Sequence, residues 1–200
     1  PKAEKLSEKS PSYTLPMERF SLEIYSLTFW DSICPGSVPR LYLTDERNSL
    51  MLMEDLSHLT LLSVELLKGS YLPNLSRQLG EFLGKTAFYT SRLFLTQDEM
   101  YQLKQLFTVC NTKTAWDHFM FTGAILQPAQ PSVNPHVQES LEHFCKQPRI
   151  RQATLRLRDI YMEKQHCLIH SDLHSSNILV DRQTMKVLDT EYATYGPVSF

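Results

Sequence analysis

An α+β fold is predicted by three observations taken together. Apolar residues at helical spacing precede two strand-like runs joined by a turn. Helical periodicity then dominates from Leu56 on. Close to Phe200, short runs rich in β-branched and aliphatic residues bracket a polar loop. The 200 residues suffice for one good-sized domain, or for one lobe plus part of another.

Residues Pro1 to Tyr13 read as a charged lead-in, and Thr14 with Pro16 marks a helix start. Met17, Phe20, Ile24 and Leu27 follow as one apolar helical face. The stretch CPGSVP, Cys34 to Pro39, breaks that helix. Val38 to Asp45 and Ser49 to Asp55 read as two strands, joined by the turn-like Glu46, Arg47 and Asn48. Leu75, Leu79, Phe82, Thr86, Tyr89 and Leu93 then mark a long amphipathic helix. Further helices are expected over Gln97 to Val109, His136 to Lys146 and Arg149 to Lys164, with a proline-rich loop from Pro128 to Pro135. CLIH, NILV and MKVLD read as short strands around the loop SDLHSS. Neither a repeat nor a low-complexity tract interrupts this order.

Composition is that of a folded protein, with 42% hydrophobic, 21% charged and 10% aromatic residues. A net charge of −2 calls for neither a nucleic acid nor an anionic membrane as partner. The cysteines Cys34, Cys110, Cys145 and Cys167 form no CxxC pair, which fits free thiols in a reducing compartment. The polar start has no apolar signal-peptide core, and no run reaches the roughly 18 apolar residues of a membrane span. A soluble cytoplasmic protein is the expectation.

The densest chemistry lies between His166 and Phe200. His170-Ser-Asp172 is followed five residues after the aspartate by Asn177, and a hairpin-like apolar segment leads to Asp189-Thr-Glu191. Phosphoryl transfer needs an acceptor hydroxyl aimed at a phosphate and charge neutralised by metal. Asp172, on a loop after a strand, suits the role of base. Asn177 offers a neutral oxygen to Mg2+ and Asp189 a charged one, with Glu191 near enough to share the site. A turn from Asp181 to Thr184 would bring Asn177 and Asp189 together. Each residue alone has an ordinary structural explanation, since a loop aspartate commonly caps a turn. The joint pattern is far more specific. His166, His170 and His174 are spaced by four, as zinc ligands on one helix face would be. The strand-like CLI between the first two and the serines around the third argue against that helix, and His170 is expected to brace the catalytic loop.

HSDLHSSNILV followed by VLDTE resembles the catalytic loop and metal motif of the aminoglycoside phosphotransferase and choline kinase superfamily. MEDLSH, PNL, FLGKTAFYTS and EYATYGP narrow the resemblance to the methylthioribose kinases within it, from about Leu15 to Phe200. The resemblance implies a two-lobed protein-kinase-like fold, with residues 1–56 as part of an N-lobe and 57–200 as part of a mainly helical C-lobe. It implies an ATP-dependent small-molecule kinase acting on the 1-hydroxyl of 5-methylthioribose in methionine salvage. Another alcohol (an aminoglycoside, choline or homoserine), or a degenerate nucleotide-binding protein, is the alternative. Asp172 becomes the base, and Asp189 with Glu191, joined by Asn177, the magnesium site. Met51 to Leu56 becomes the hinge, where Met53, Glu54 and Leu56 meet adenine, and Glu23 matches the helix-borne glutamate that pairs with a nucleotide-binding lysine. Read without the resemblance, Glu23 is a solvated helix residue. A homodimer is also implied.

Three residues depart from the family pattern. Ser171 stands where glycine is usual, Asn177 where methylthioribose kinases tend to carry a small hydroxyl residue, and Thr190 where proline is usual. The chain begins with Pro1 and stops directly after its motif-dense region, so both ends are expected to be cut. The phosphate loop with its lysine is then expected before Pro1, and the substrate-binding arginines after Phe200. The 200 residues alone are expected to be inactive.

Overall fold

The computed structural model of this chain describes residues 18–108, 114, 117–126 and 135–199. Helix α1 spans Arg19–Ile33 and buries Leu22, Ile24, Ser26, Leu27 and Trp30. Gly36, within the break after it, has φ 81°, a left-handed conformation that glycine adopts at little cost. The expected helix start at Thr14 and Pro16, and Met17, lie outside the described residues.

Strands β1 (Leu41–Asp45) and β2 (Leu50–Met53) pair antiparallel across a short 3-10 turn at Glu46–Asn48. The Asp45 carboxylate fixes this turn by accepting the Asn48 backbone N–H at 3.2 Å and its Nδ2 at 2.7 Å. Strand β3 (Thr60–Leu61) leads into the short helix α2 (Leu62–Leu67). Helix α3 spans Leu75–Tyr89, α4 Gln97–Thr108, α5 Pro135–Lys146 and α6 Pro148–Glu163, and residues His118–Leu126 form a π-helical segment. Val109, and most of the Pro128 to Pro135 loop, lie outside the described residues.

Four short strands follow: β4 (Cys167–Ile169), β5 (Ile178–Val180), β6 (Met185–Val187) and β7 (Thr194–Gly196). They sort into an antiparallel sheet ordered β3-β5-β6 and an antiparallel pair β4-β7. The mixture of helices with small antiparallel sheets is the expected α+β architecture.

α3 stops earlier than its apolar spacing predicts. Thr90 ends the helix, and its hydroxyl accepts the Leu168 N–H at 2.9 Å while its carbonyl accepts the Tyr195 hydroxyl at 2.9 Å. A separate turn then begins at Ser91, whose carbonyl accepts from Phe94 and Leu95. Leu93 therefore leaves the helical face and is 80% exposed.

The larger of two apolar clusters among the described residues joins α1 to the later helices and strands. Leu22 and Trp30 of α1 pack with Phe82 of α3, Phe107 of α4, Leu168 of β4 and Val187 of β6. It crosses residue 56, so α1 and the strands near the chain's end are buried together. Cys34, Cys145 and Cys167 are buried, and burial pushes the Cys167 thiol up to about 11. Cys110 lies outside the described residues.

Candidate active site

The motif region is a strand, a loop and a hairpin. β4 delivers the chain to His170, the loop runs to Asn177, and β5 and β6 fold back antiparallel. Asp181 closes the hairpin by accepting the Gln183 and Thr184 N–H groups at 2.7 and 2.6 Å. Ile178 lies opposite Val187, and the Leu188 N–H donates to the Asn177 carbonyl at 2.8 Å. The hairpin thus brings Asn177 beside the residue that precedes Asp189, as its spacing predicts.

His170 is the brace of this loop. It is 5% exposed and stacks on Trp30 of α1 with ring centroids 5.8 Å apart. Its Nδ1 accepts the Asp172 N–H at 3.3 Å, which leaves Nε2 as the N–H that donates to the Leu188 carbonyl at 2.8 Å. One ring therefore ties the backbone of Asp172 to the residue before Asp189. Burial holds the imidazole below its usual range, so the neutral form that this bonding needs is favoured.

Asn177 completes the loop. Its Nδ2 donates to the Asp172 carbonyl at 3.0 Å, so its oxygen is the atom it can offer to a cation. His174 repeats the pattern of His170: Nδ1 accepts the Ser176 N–H at 3.1 Å, and Nε2 lies 3.8 Å from Asp172 Oδ2. Burial pushes the Asp172 carboxyl up, opposed by His174 and His170 and reinforced by Asp189. Asp172 and Asp189 are thus close enough to feel each other's charge.

Ser171 and Asp189 both adopt the left-handed region, at φ 66° and 56°. Ser171 takes the conformation that the usual glycine would adopt freely, so the loop keeps its path at a cost of about 1 kcal/mol of backbone strain. The fully buried Thr190, at the position usually held by proline, joins its hydroxyl to that of Ser26 at 2.6 Å.

α1 supplies the wall facing Asp189 to Glu191. Arg19, Glu23, Ser26 and Trp30 recur at helical spacing and meet, in turn, Glu191, the charges of Glu191 and Asp189, Thr190 and His170. Arg19 Nη1 donates to Glu191 Oε1 at 2.7 Å. Glu23 is not a solvated helix residue: burial, then the charges of Glu191 and Asp189, push its carboxyl up to about 7. Glu191 is likewise raised, first by burial. Such a surplus of crowded carboxylates suits a divalent cation, and the oxygen donors of Asp189, Glu191 and Asn177 are the hard ligands magnesium takes. Among the described residues, no three His, Cys, Asp or Glu side chains already converge as a ready cage.

The three histidines do not share a helix face. His166 precedes β4 and is exposed, His170 is buried, and His174 lies exposed on the loop. Met53 ends β2, and Leu56 lies half-buried in the link to β3, where its carbonyl accepts the Leu59 N–H at 2.9 Å. The Glu54 carboxylate is committed to Lys186 of β6, at 2.7 Å, and to the Arg40 N–H, at 3.2 Å. Burial opposes ionisation of Glu54, but these two partners outweigh it and hold the carboxyl below its usual range.

Sequence reasoning missed Arg19, Ser26, Trp30 and Lys186. The first three share a helical face with Glu23, a spacing visible in the sequence but outweighed there by the apolar stripe of Phe20, Ile24 and Leu27. For Lys186 no local signal exists, because its partner lies 132 residues away.

The model of the family described as "Phosphotransferase enzyme family" matches residues 32–200. The chain is 32% identical over 189 residues to the methylthioribose kinase of Bacillus velezensis, covering 94% of this chain and 48% of that protein. It is 31% identical over 189 residues to the methylthioribose kinase of Geobacillus kaustophilus, with the same two shares covered. The chain spans about half the length of the curated relatives it matches.

Proposed function

Since this chain belongs to the phosphotransferase enzyme family, we propose that its parent protein is an ATP-dependent kinase that phosphorylates the 1-hydroxyl of 5-methylthioribose, a step of methionine salvage. The observation that carries this reading is the His170 bridge. It fixes the candidate base and the candidate metal-holding segment in one frame, through Asp172 N–H and the Leu188 carbonyl. Transfer of a phosphoryl group depends mainly on such positioning.

In this reading Asp172 orients the acceptor hydroxyl and takes its proton. Burial raises its carboxyl, which strengthens it as a base, while His174 keeps it from being raised further. Asp189, Glu191 and the Asn177 oxygen would hold magnesium. When bound, magnesium neutralises charge on the transferring phosphates. The link around Met53 to Leu56 would present backbone groups to adenine, with the Glu54 side chain anchoring that link to Lys186. Glu23 would stand toward the nucleotide side of α1. Residues 1–56 then belong to one lobe and 57–200 to the next. A cytoplasmic location, expected from the composition, and a homodimer, implied by the resemblance, accompany the reading. No helix among the described residues is long and apolar enough to cross a membrane.

A second acceptor class is favoured by one residue. Asn177 fits the wider superfamily, in which choline, homoserine or aminoglycosides are phosphorylated, better than it fits the methylthioribose kinases. Steady-state ATP turnover by the intact protein, with 5-methylthioribose against those three alcohols, separates the two. Turnover confined to methylthioribose supports the proposal. Activity on another alcohol keeps the Asp172 chemistry and discards the pathway. No turnover with any of them discards the catalytic reading.

A further inference from the structure

We propose that Arg19 is a positioning residue for the metal-holding segment: its guanidinium occupies Glu191 in place of a divalent cation and yields it when that cation binds. The proposal rests on reading Asp189 and Glu191 as metal ligands.

Arg19 and Glu191 lie 172 residues apart in sequence, yet Nη1 and Oε1 meet at 2.7 Å. Their side chains are only 14% and 18% exposed, so this is not a solvated surface pair. The contact joins one nitrogen to one oxygen. It is a weaker grip than the bidentate fork that arginine makes where a carboxylate is held for good.

Arg19 shares a face of α1 with Glu23, four residues on. It is the first residue of the helix, where the dipole disfavours a cation, and the first turn holds neither an acidic residue nor a side-chain cap. Its stabilisation comes from the carboxylates it faces. A divalent cation at Asp189 and Glu191 would supply the same compensation with twice the charge and would repel the guanidinium. Release of Arg19 need not unseat the segment, because the Ser26–Thr190 bond holds it to α1 one helical stretch further on.

The test is Mn2+ binding to the intact, nucleotide-free protein, followed by electron paramagnetic resonance of the free ion. Arg19→Met, which removes the competing charge and keeps the helix, is expected to bind Mn2+ about three- to tenfold more tightly than wild type. Arg19→Lys should stay near wild type. Thermal melting checks folding, and Arg19→Gln replaces the methionine variant if that variant does not fold. Unchanged or weaker Mn2+ binding on removal of the charge overturns the proposal. Asp189→Asn separates the two levels. If it abolishes Mn2+ binding while Arg19→Met changes nothing, only the Arg19 proposal falls. If it leaves Mn2+ binding intact, the metal reading itself fails and takes the Arg19 proposal with it.

Discussion

Ser26 and Thr190 share a hydroxyl–hydroxyl hydrogen bond of 2.6 Å, and neither side chain is exposed to water. The bond joins the middle of α1 to the residue between Asp189 and Glu191. A proline at position 190, as the resemblance leads one to expect, would carry no hydroxyl to make it.

Without Thr190 the Ser26 hydroxyl keeps the Leu22 carbonyl at 2.8 Å, whereas without Ser26 the Thr190 hydroxyl keeps the Glu23 carbonyl at 3.5 Å. Ser26→Ala or Thr190→Val should each cost about 1–3 kcal/mol. The double variant should cost less than the sum, since the bond between the two hydroxyls is lost only once. Urea denaturation of the four proteins measures the coupling. Strict additivity would mean that the bond has no energetic role.

Asp172→Asn keeps the size of the side chain and removes its basicity. Turnover of the intact protein should fall about a hundred- to ten-thousandfold, with nucleotide affinity nearly unchanged. Turnover near wild type would remove Asp172 from the role of base.

Glu23 gives stability a definite slope with pH. Its carboxyl is pushed up to about 7 in the folded protein, from an ordinary value of 4.5. Between those two values the folded state binds the proton more strongly than the unfolded state does. This contribution is therefore fully present below about 4.5 and is lost as pH rises through about 7. In EDTA, Glu23→Gln should flatten that decline and leave the protein more stable than wild type at pH 8, by on the order of 2 kcal/mol. Melting temperatures across the range decide it, and parallel curves for the two proteins would contradict it.

Lys186 and Glu54 form the anchor of the link after β2. Lys186→Met leaves the Glu54 carboxylate, 27% exposed, without its 2.7 Å partner. Stability should drop by about 1–3 kcal/mol. Because the proposed adenine contacts adjoin Glu54, the KM for ATP should rise more than kcat falls. Lys186→Met combined with Glu54→Gln should recover part of the stability. An unaltered KM in a folded Lys186→Met protein would detach Glu54 from nucleotide binding.

The sequence by itself determined the elements whose signal is local. The β1–β2 and β5–β6 hairpins, α4, α5 and α6 are legible because turn chemistry and apolar spacing act over a few residues. The order of His170, Asp172, Asn177 and Asp189 is legible for the same reason, since one loop and the short hairpin after it carry all four.

Only the tertiary structure decided the rest. β3 and β7 have two and three residues, too few for a period, and become strands because β5 and β4 offer them a ladder. α3 stops at Tyr89 because β4 and β7 take up the polar groups of Thr90, although the apolar spacing continues to Leu93. Glu23 changes from a plain helix residue to a perturbed one because packing of α1 sets it against carboxylates more than 160 positions away. Chain spacing fixes which groups share a helix face or a hairpin. Desolvation and charge pairing depend on what that face is buried against, and that is settled only when the core closes.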